Sequence, residues 1–216
     1  MVVDGTLPTT TSPGGQVTSA NSLTAEDLGS AAQRDRRKRI LDATIVLATK
    51  GGFDAVQMRA VAEQADVALG TLYRYFPSKI HLLVSALGRE FERAEGQLRD
   101  KPVDGDTTAE RVIILLKRLT RGLQGDPHLT EALTRAFMFA DASVQQEIHA
   151  VGMLLTRMLT RAMHPDRDSV TDEDVAIARV IGDVWLSALV AWVTGRATAA
   201  ETAQQMEVAV SLLLRD

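Results

Sequence analysis

Apolar residues recur along most of this chain at intervals of three and four, the rhythm of helices that bury one face. Ile40, Ala43, Thr44, Leu47 and Ala48 mark the first such face, and Gly51-Gly52 stop it, as a helix C-terminus prefers. Met58, Val61, Ala62 and Ala65 form the inner side of a short second helix. Val67, Leu72 and Phe76 anchor an equally short third one, which Pro77 ends. Ser78 caps a fourth helix whose stripe is Ile80, Leu83, Val84, Leu87 and Phe91, running to about Arg99.

The rhythm continues to the C-terminus. Val112, Leu115, Leu116, Leu119 and Leu123 predict a fifth helix, and Asp126-Pro127 opens a shorter one with Leu129, Leu133 and Phe137. Val144, Ile148, Val151, Leu155 and Leu159 predict the next, stopping near His164-Pro165. Thr171 followed by Asp172, Glu173 and Asp174 puts a cap and negative charge at the start of a long helix that reaches about Gly195. A last helix, about 199–214, carries Met206, Val210, Leu213 and Leu214. No alternating segment bounded by turn signals interrupts the series, so the expected fold is all-α with about nine helices. Residues 1–29, rich in Thr, Ser, Gly and Pro, bury too little apolar surface to offset ordering entropy and are expected to form a disordered tail, with Leu23 and Leu28 as docking points.

Helices two and three, joined by a tight turn, have the plan of a helix-turn-helix, whose second helix enters the DNA major groove. Ala68, Leu69, Gly70 and Thr71 form the first turn of that reader, the part that reaches deepest. Gly70 costs about 1 kcal/mol inside a helix relative to Ala, a cost that close approach to DNA explains. Thr71 offers a hydroxyl and a methyl to a phosphate or thymine, while Tyr73, Arg74 and Tyr75 supply hydroxyls and charge. Lys79 opens helix four, where dipole and ammonium both favour a phosphate. Arg36 and Arg37, within the run Arg34, Arg36, Arg37, Lys38 and Arg39, form a backbone clamp, joined by Arg59 and by Gln57 at the start of helix two.

Charge distribution favours this reading despite a net charge of −4. Residues 33–79 hold nine Lys/Arg against five Asp/Glu, whereas residues 80–216 hold fifteen against twenty. The basic excess therefore lies on the helix-turn-helix segment, where phosphates would act. Apolar residues make up 45% and charged ones 24%, ordinary for a globular chain. No apolar run approaches the roughly 20 residues of a membrane span, and the N-terminus lacks the pattern of a signal peptide. A cytoplasmic protein without a membrane partner is expected. The absence of cysteine excludes disulfides, thiolate metal sites and thiol nucleophiles. His81, His128, His149 and His164 have no metal-ligand spacing, and no phosphate loop or nucleophile motif stands out, so neither an enzyme nor a metal or cofactor site is expected.

The run Gly-Thr-Leu-Tyr-Arg-Tyr-Phe-Pro-Ser-Lys at 70–79, with Lys50-Gly51-Gly52-Phe53 and Arg59-Ala60-Val61-Ala62, resembles the DNA-binding domain of TetR-family repressors. The likeness is close over 36–84 and holds in outline beyond. It departs at Gln57, where the family often has Thr or Ser, at Asp66, where the turn is often Gly, and at Ala68, often Ser. The resemblance implies a helix-turn-helix DNA-binding domain at 30–79 and a ligand-binding and dimerisation domain at 80–216. It also implies a homodimer through the last two helices, presenting two readers to an inverted-repeat operator in double-stranded DNA, spaced by about 34–36 Å or a multiple. Helix eight is apolar around more than one face, as such a shared helix must be.

Within the family the chain is similar to actinobacterial repressors of sterol and cholesterol catabolism. The residues that carry this likeness are Gln57 to Val61, Asp66 to Glu90, Leu129 to Ala132, Phe139 to Ser143, and Ile177 to Trp192. It implies release from the operator by a steroid-type CoA thioester. Leu115, Leu116, Leu119, Phe137, Met138, Met153, Leu154, Trp185, Leu189 and Trp192 are the candidate apolar pocket. Arg111, Lys117, Arg118 and Arg121 are candidate phosphate partners at its mouth. Two readings stay open beside this one: a repressor of a multidrug efflux system with a broad apolar pocket, and a DNA-binding protein that responds to no ligand.

Overall fold

The computed structural model describes residues 25–167 and 169–215, and side chains from residue 30 onward. Nine α-helices make up the described chain, with no strand among the described residues. They are α1 (Ala25–Ala55), α2 (Met58–Gln64), α3 (Leu69–Tyr75), α4 (Lys79–Asp100), α5 (Thr108–Gln124), α6 (Pro127–Met138), α7 (Gln145–Met163), α8 (Asp172–Val193) and α9 (Ala199–Leu213). A short 3-10 turn, Ala142–Val144, leads into α7.

Most ends follow the expected chemistry. Ser78, Thr107, Asp126, Thr171 and Thr198 each accept a backbone N–H at the start of α4, α5, α6, α8 and α9. Thr171 and Thr198 form full capping boxes with Asp174 and Glu201. Two differences concern α1. Its backbone is helical from Ala25, inside the stretch 1–29 expected to form a disordered tail. The rest of the expected tail, including Leu23, and the Leu28 side chain lie outside the described residues. At the other end the regular helix breaks at Gly51-Gly52, where Gly52 takes φ +66°, and a last turn follows to Ala55.

One expectation fails. The 22-residue α8 has a mean hydropathy of 1.6 over its most apolar stretch and is long and apolar enough to cross a bilayer. Here that composition serves a bundle. Ala178, Ile181, Trp185, Ala188 and Leu189 are buried, and α8 packs between α7 and α9 with its lower flank on α6.

The core runs without interruption from α1–α3 into the bundle. Ile40, Leu41, Val61, Leu72 and Phe76 bury the small N-terminal unit, and Leu82 and Leu83 of α4 join it to the larger bundle. α4 thus belongs to both parts, and α6 lies along α1.

Candidate functional site

The turn between α2 and α3 owes its shape to one residue. Asp66 sits at φ 52°, a left-handed conformation that Asp tolerates better than most side chains. Val67 N–H then bonds back to Ala62 O at 3.0 Å, and Arg39 Nη1 donates to Ala65 O at 2.9 Å. Arg39 is therefore tied to the turn and to Asp35, at 3.4 Å, rather than free for a phosphate. Leu72 is fully buried and pins α3 to the core. The opposite side of α3 faces outward: Ala68, Gly70, Tyr73 and Arg74 are exposed, and Leu69, Thr71 and Tyr75 are half-buried. A Cβ added at Gly70 would meet no atom within 4 Å, so nothing inside the chain requires glycine there.

The cations around this face divide into free and engaged ones. Arg34, Arg36, Lys38, Arg59 and Arg74 make no ion pair among the described residues, and Gln57 is exposed at the α2 N-terminus. Arg37 stacks its guanidinium over Phe76 at 5.6 Å. Lys79 is placed less freely than its position at the α4 N-terminus suggests. Its Nζ lies 3.8 Å from the Phe53 ring centroid, and burial pushes its ammonium below the ordinary lysine value.

The second feature is a cavity of about 300 Å³ among α4, α5, α6, α7 and α8. Leu87 and Phe91 of α4, Leu133 and Phe137 of α6, and Trp185 and Leu189 of α8 supply much of its apolar wall. The exposed lining residues, His149, Gly152, Met153, Arg179 and Asp183, all belong to α7 and α8, so the mouth opens between these two helices. Two glycines face it: Gly152 has open space where a Cβ would be, and Gly182 leaves room for Leu155, whose Cδ2 lies 3.1 Å from the Cβ position. Trp185 Nε1 donates to Thr120 Oγ1 at 2.9 Å, which fixes the indole against the cavity.

Of the expected pocket residues, Phe137, Met153, Trp185 and Leu189 line this cavity. Leu115, Leu116, Leu119 and Leu154 are buried core residues outside its wall, Met138 is 51% exposed, and Trp192 lies beyond its end. The expected mouth cations are elsewhere. Arg111 donates to the carbonyls of Ala162, Met163 and Gly105, Lys117 pairs with Glu207, and Arg118 donates to Lys101 O and Pro102 O. Arg121 is exposed away from the opening. Arg179 and His149 hold the mouth positions instead, with Asp183 one turn from Arg179 and no ion pair between them.

α4 and α6 connect cavity and DNA-reading unit. Glu131 Oε2 accepts from Phe53 N–H at 2.8 Å, and Arg135 stacks on the Phe53 ring at 4.4 Å while reaching Asp54 at 3.6 Å. Thr49 donates to Asp126, the α6 cap, and Arg89 of α4 bonds Asp42 and, at 3.2 Å, Lys38 O. Three residues of α6 that face the cavity (Leu133, Thr134 and Phe137) lie within two turns of Glu131.

Known proteins share this organisation. Residues 40–86 match the model for bacterial regulatory proteins of the tetR family, and residues 105–213 match the tetracyclin repressor-like C-terminal domain. The HTH-type transcriptional repressor KstR of Rhodococcus jostii is 57% identical over 197 residues, 91% of each chain. A solved TetR transcriptional regulator from Rhodococcus sp. RHA1 is 31% identical with a TM-score of 0.79, covering 86% of this chain and 98% of that one. The regulator FadR from Bacillus subtilis, solved in complex with stearoyl-CoA, is 19% identical with a TM-score of 0.58 over 82% of this chain and 97% of its own, a likeness of fold. With both domains matched and a close relative along nearly the whole length, the chain belongs to the TetR family, whose members are DNA-binding regulators rather than enzymes.

Proposed function

We propose that this chain is a homodimeric, cytoplasmic repressor of sterol or lipid catabolism genes, released from an inverted-repeat operator by a steroid-type acyl-CoA. Residues 30–79 read DNA, and the bundle from residue 80 binds the effector and the second subunit. The observation that carries the reading is the apolar cavity whose walls, α4 and α6, also hold the DNA-reading unit. Fused rings fit an apolar chamber, and Arg179 and His149 suit the phosphates of a thioester that emerges at its mouth. The sequence resemblance to sterol-catabolism repressors, and the likeness of fold to a regulator solved with stearoyl-CoA, support the same ligand class. α8 and α9 supply the dimer face: Val180, Val208 and Leu212 are apolar and about half exposed.

A ligand shifts the equilibrium only by its difference in affinity between DNA-competent and released states. Occupancy would move α4 and α6, and with them the separation of the two α3 readers. An efflux-type response to cationic drugs draws on Asp183 alone, and Arg179 and His149 beside it offset that charge. Gel-shift competition with sterol acids and their CoA thioesters tests the reading. Release by thioesters, and not by drugs, is expected; indifference to every sterol compound would overturn it.

A further inference from the structure

Among the described residues the buried threonines are Thr44, Thr130, Thr134, Thr160 and Thr202. All but one of them satisfy their hydroxyl on the backbone. Thr44 donates to Ile40 O at 2.8 Å, Thr130 to Leu123 O at 2.6 Å, Thr160 to Arg157 O at 3.2 Å and Thr202 to Thr198 O at 2.9 Å. Thr134, only 7% exposed, has no such partner among the described residues, and it lines the main cavity. Its neighbours in that wall on α6 are Leu133 and Phe137. The other hydroxyl and charged side chains of the lining belong to α7 and α8, the helices that flank the mouth. Thr134 is thus the polar group that α6 presents to the cavity. Valine would fill the same space with no hydroxyl to match, so packing alone does not account for threonine here.

We propose that Thr134 is a specificity-determining residue of the effector site, whose hydroxyl pairs with an oxygen on the effector's ring system. This rests on the steroid reading above. A hydroxyl both donates and accepts, so it serves a ring hydroxyl and a ring ketone alike. A hydrocarbon face lying over it leaves the hydroxyl unmatched, and such a ligand binds less well. The same contact bears on the DNA reader. Thr134 stands one turn after Glu131, which accepts from the Phe53 N–H, and next to Arg135, which reaches Asp54. The ligand's oxygen is therefore read on the turn of α6 that holds the end of α1.

The test measures affinity of the full-length protein for four CoA thioesters. Their acids are cholanoic acid, with no ring oxygen, lithocholic acid, with one hydroxyl, and chenodeoxycholic and deoxycholic acids, each with a second hydroxyl at a different ring position. Wild type is expected to prefer at least one hydroxylated thioester over the cholanoyl thioester by about tenfold. Thr134→Val, which keeps the shape and removes the hydroxyl, should bind that thioester and the cholanoyl thioester alike. Where Thr134→Val fails to fold, Thr134→Ala serves for the same comparison. A preference that survives loss of the hydroxyl overturns the assignment. Equal affinity of wild type for all four also overturns it, and leaves the steroid reading standing. Binding of none of them removes the steroid reading and this inference together.

Discussion

The Glu131 carboxylate of α6 accepts a hydrogen bond from the Phe53 backbone N–H, the first amide after the two-glycine break in α1, at 2.8 Å. The neighbouring Gly52 makes this approach possible. Its φ of +66° suits glycine, and a Cβ there would lie 2.6 Å from Glu131 Oε2. The helix that walls the cavity is thus latched to the DNA-reading unit at one defined backbone position.

Weakening the latch should separate the two functions. Glu131→Leu is expected to keep operator binding and to lose most of the ligand-driven release, read by gel shift with and without the effective thioester. Gly52→Ala should additionally lower stability by about 1–2 kcal/mol, because alanine disfavours the left-handed backbone. Urea denaturation measures it, and normal release in both variants would break the proposed link.

Gly70 separates folding from DNA reading. Since a Cβ there meets no atom within 4 Å, Gly70→Ala should stabilise the folded protein by up to about 1 kcal/mol through helix propensity. The same methyl should weaken operator binding, because it stands on the exposed face of α3. Unchanged operator affinity in a stabilised variant would show that α3 does not approach DNA closely at this point.

At the clamp, Arg36→Ala should weaken binding to operator and random DNA alike and lower the slope of log affinity against log salt by about one. Fluorescence anisotropy across a salt series measures both. A loss confined to the operator would make Arg36 a base reader.

The cavity can be filled where it has no side chain of its own. Gly152→Leu enters open space at the mouth and replaces glycine with a better helix former. Thermal unfolding and operator binding should be preserved while effector affinity falls at least tenfold. Full effector affinity in this variant would place the ligand elsewhere.

Asp174 sets an acid limit on the α7–α8 junction. The Thr171 backbone N–H, then its hydroxyl and His164, hold this carboxylate down from its ordinary 3.8 to about 2. A depressed carboxylate contributes stability that is full above its unfolded value and lost as pH falls through the folded one. Wild type should therefore lose this contribution between about pH 4 and pH 2, and Asp174→Asn should flatten that limb of the denaturation profile.

The DNA-reading unit was legible because its signals are local. Gly51-Gly52, the Asp66 turn, Pro77 and the Ser78 cap each act within a few residues, and the burial of Leu72 and Phe76 follows from spacing alone. The cavity was legible only in part. Periodicity shows that Leu115, Leu116 and Trp185 face inward, but whether an inward side chain meets another side chain or a void depends on the helix opposite. Gly152 and Gly182 define the opening by what they lack, which composition does not mark. Arg111 is an equally clear case: the carbonyls it holds lie 51 and 52 residues away.

Trp185 has a consequence beyond packing. It is one of two tryptophans in the chain, it lines the cavity, and its indole N–H is anchored to Thr120. The other, Trp192, stands outside the cavity wall. The molecule therefore carries an intrinsic optical reporter inside the chamber and a reference fluorophore beyond it, so occupancy can be followed by emission from the unlabelled protein.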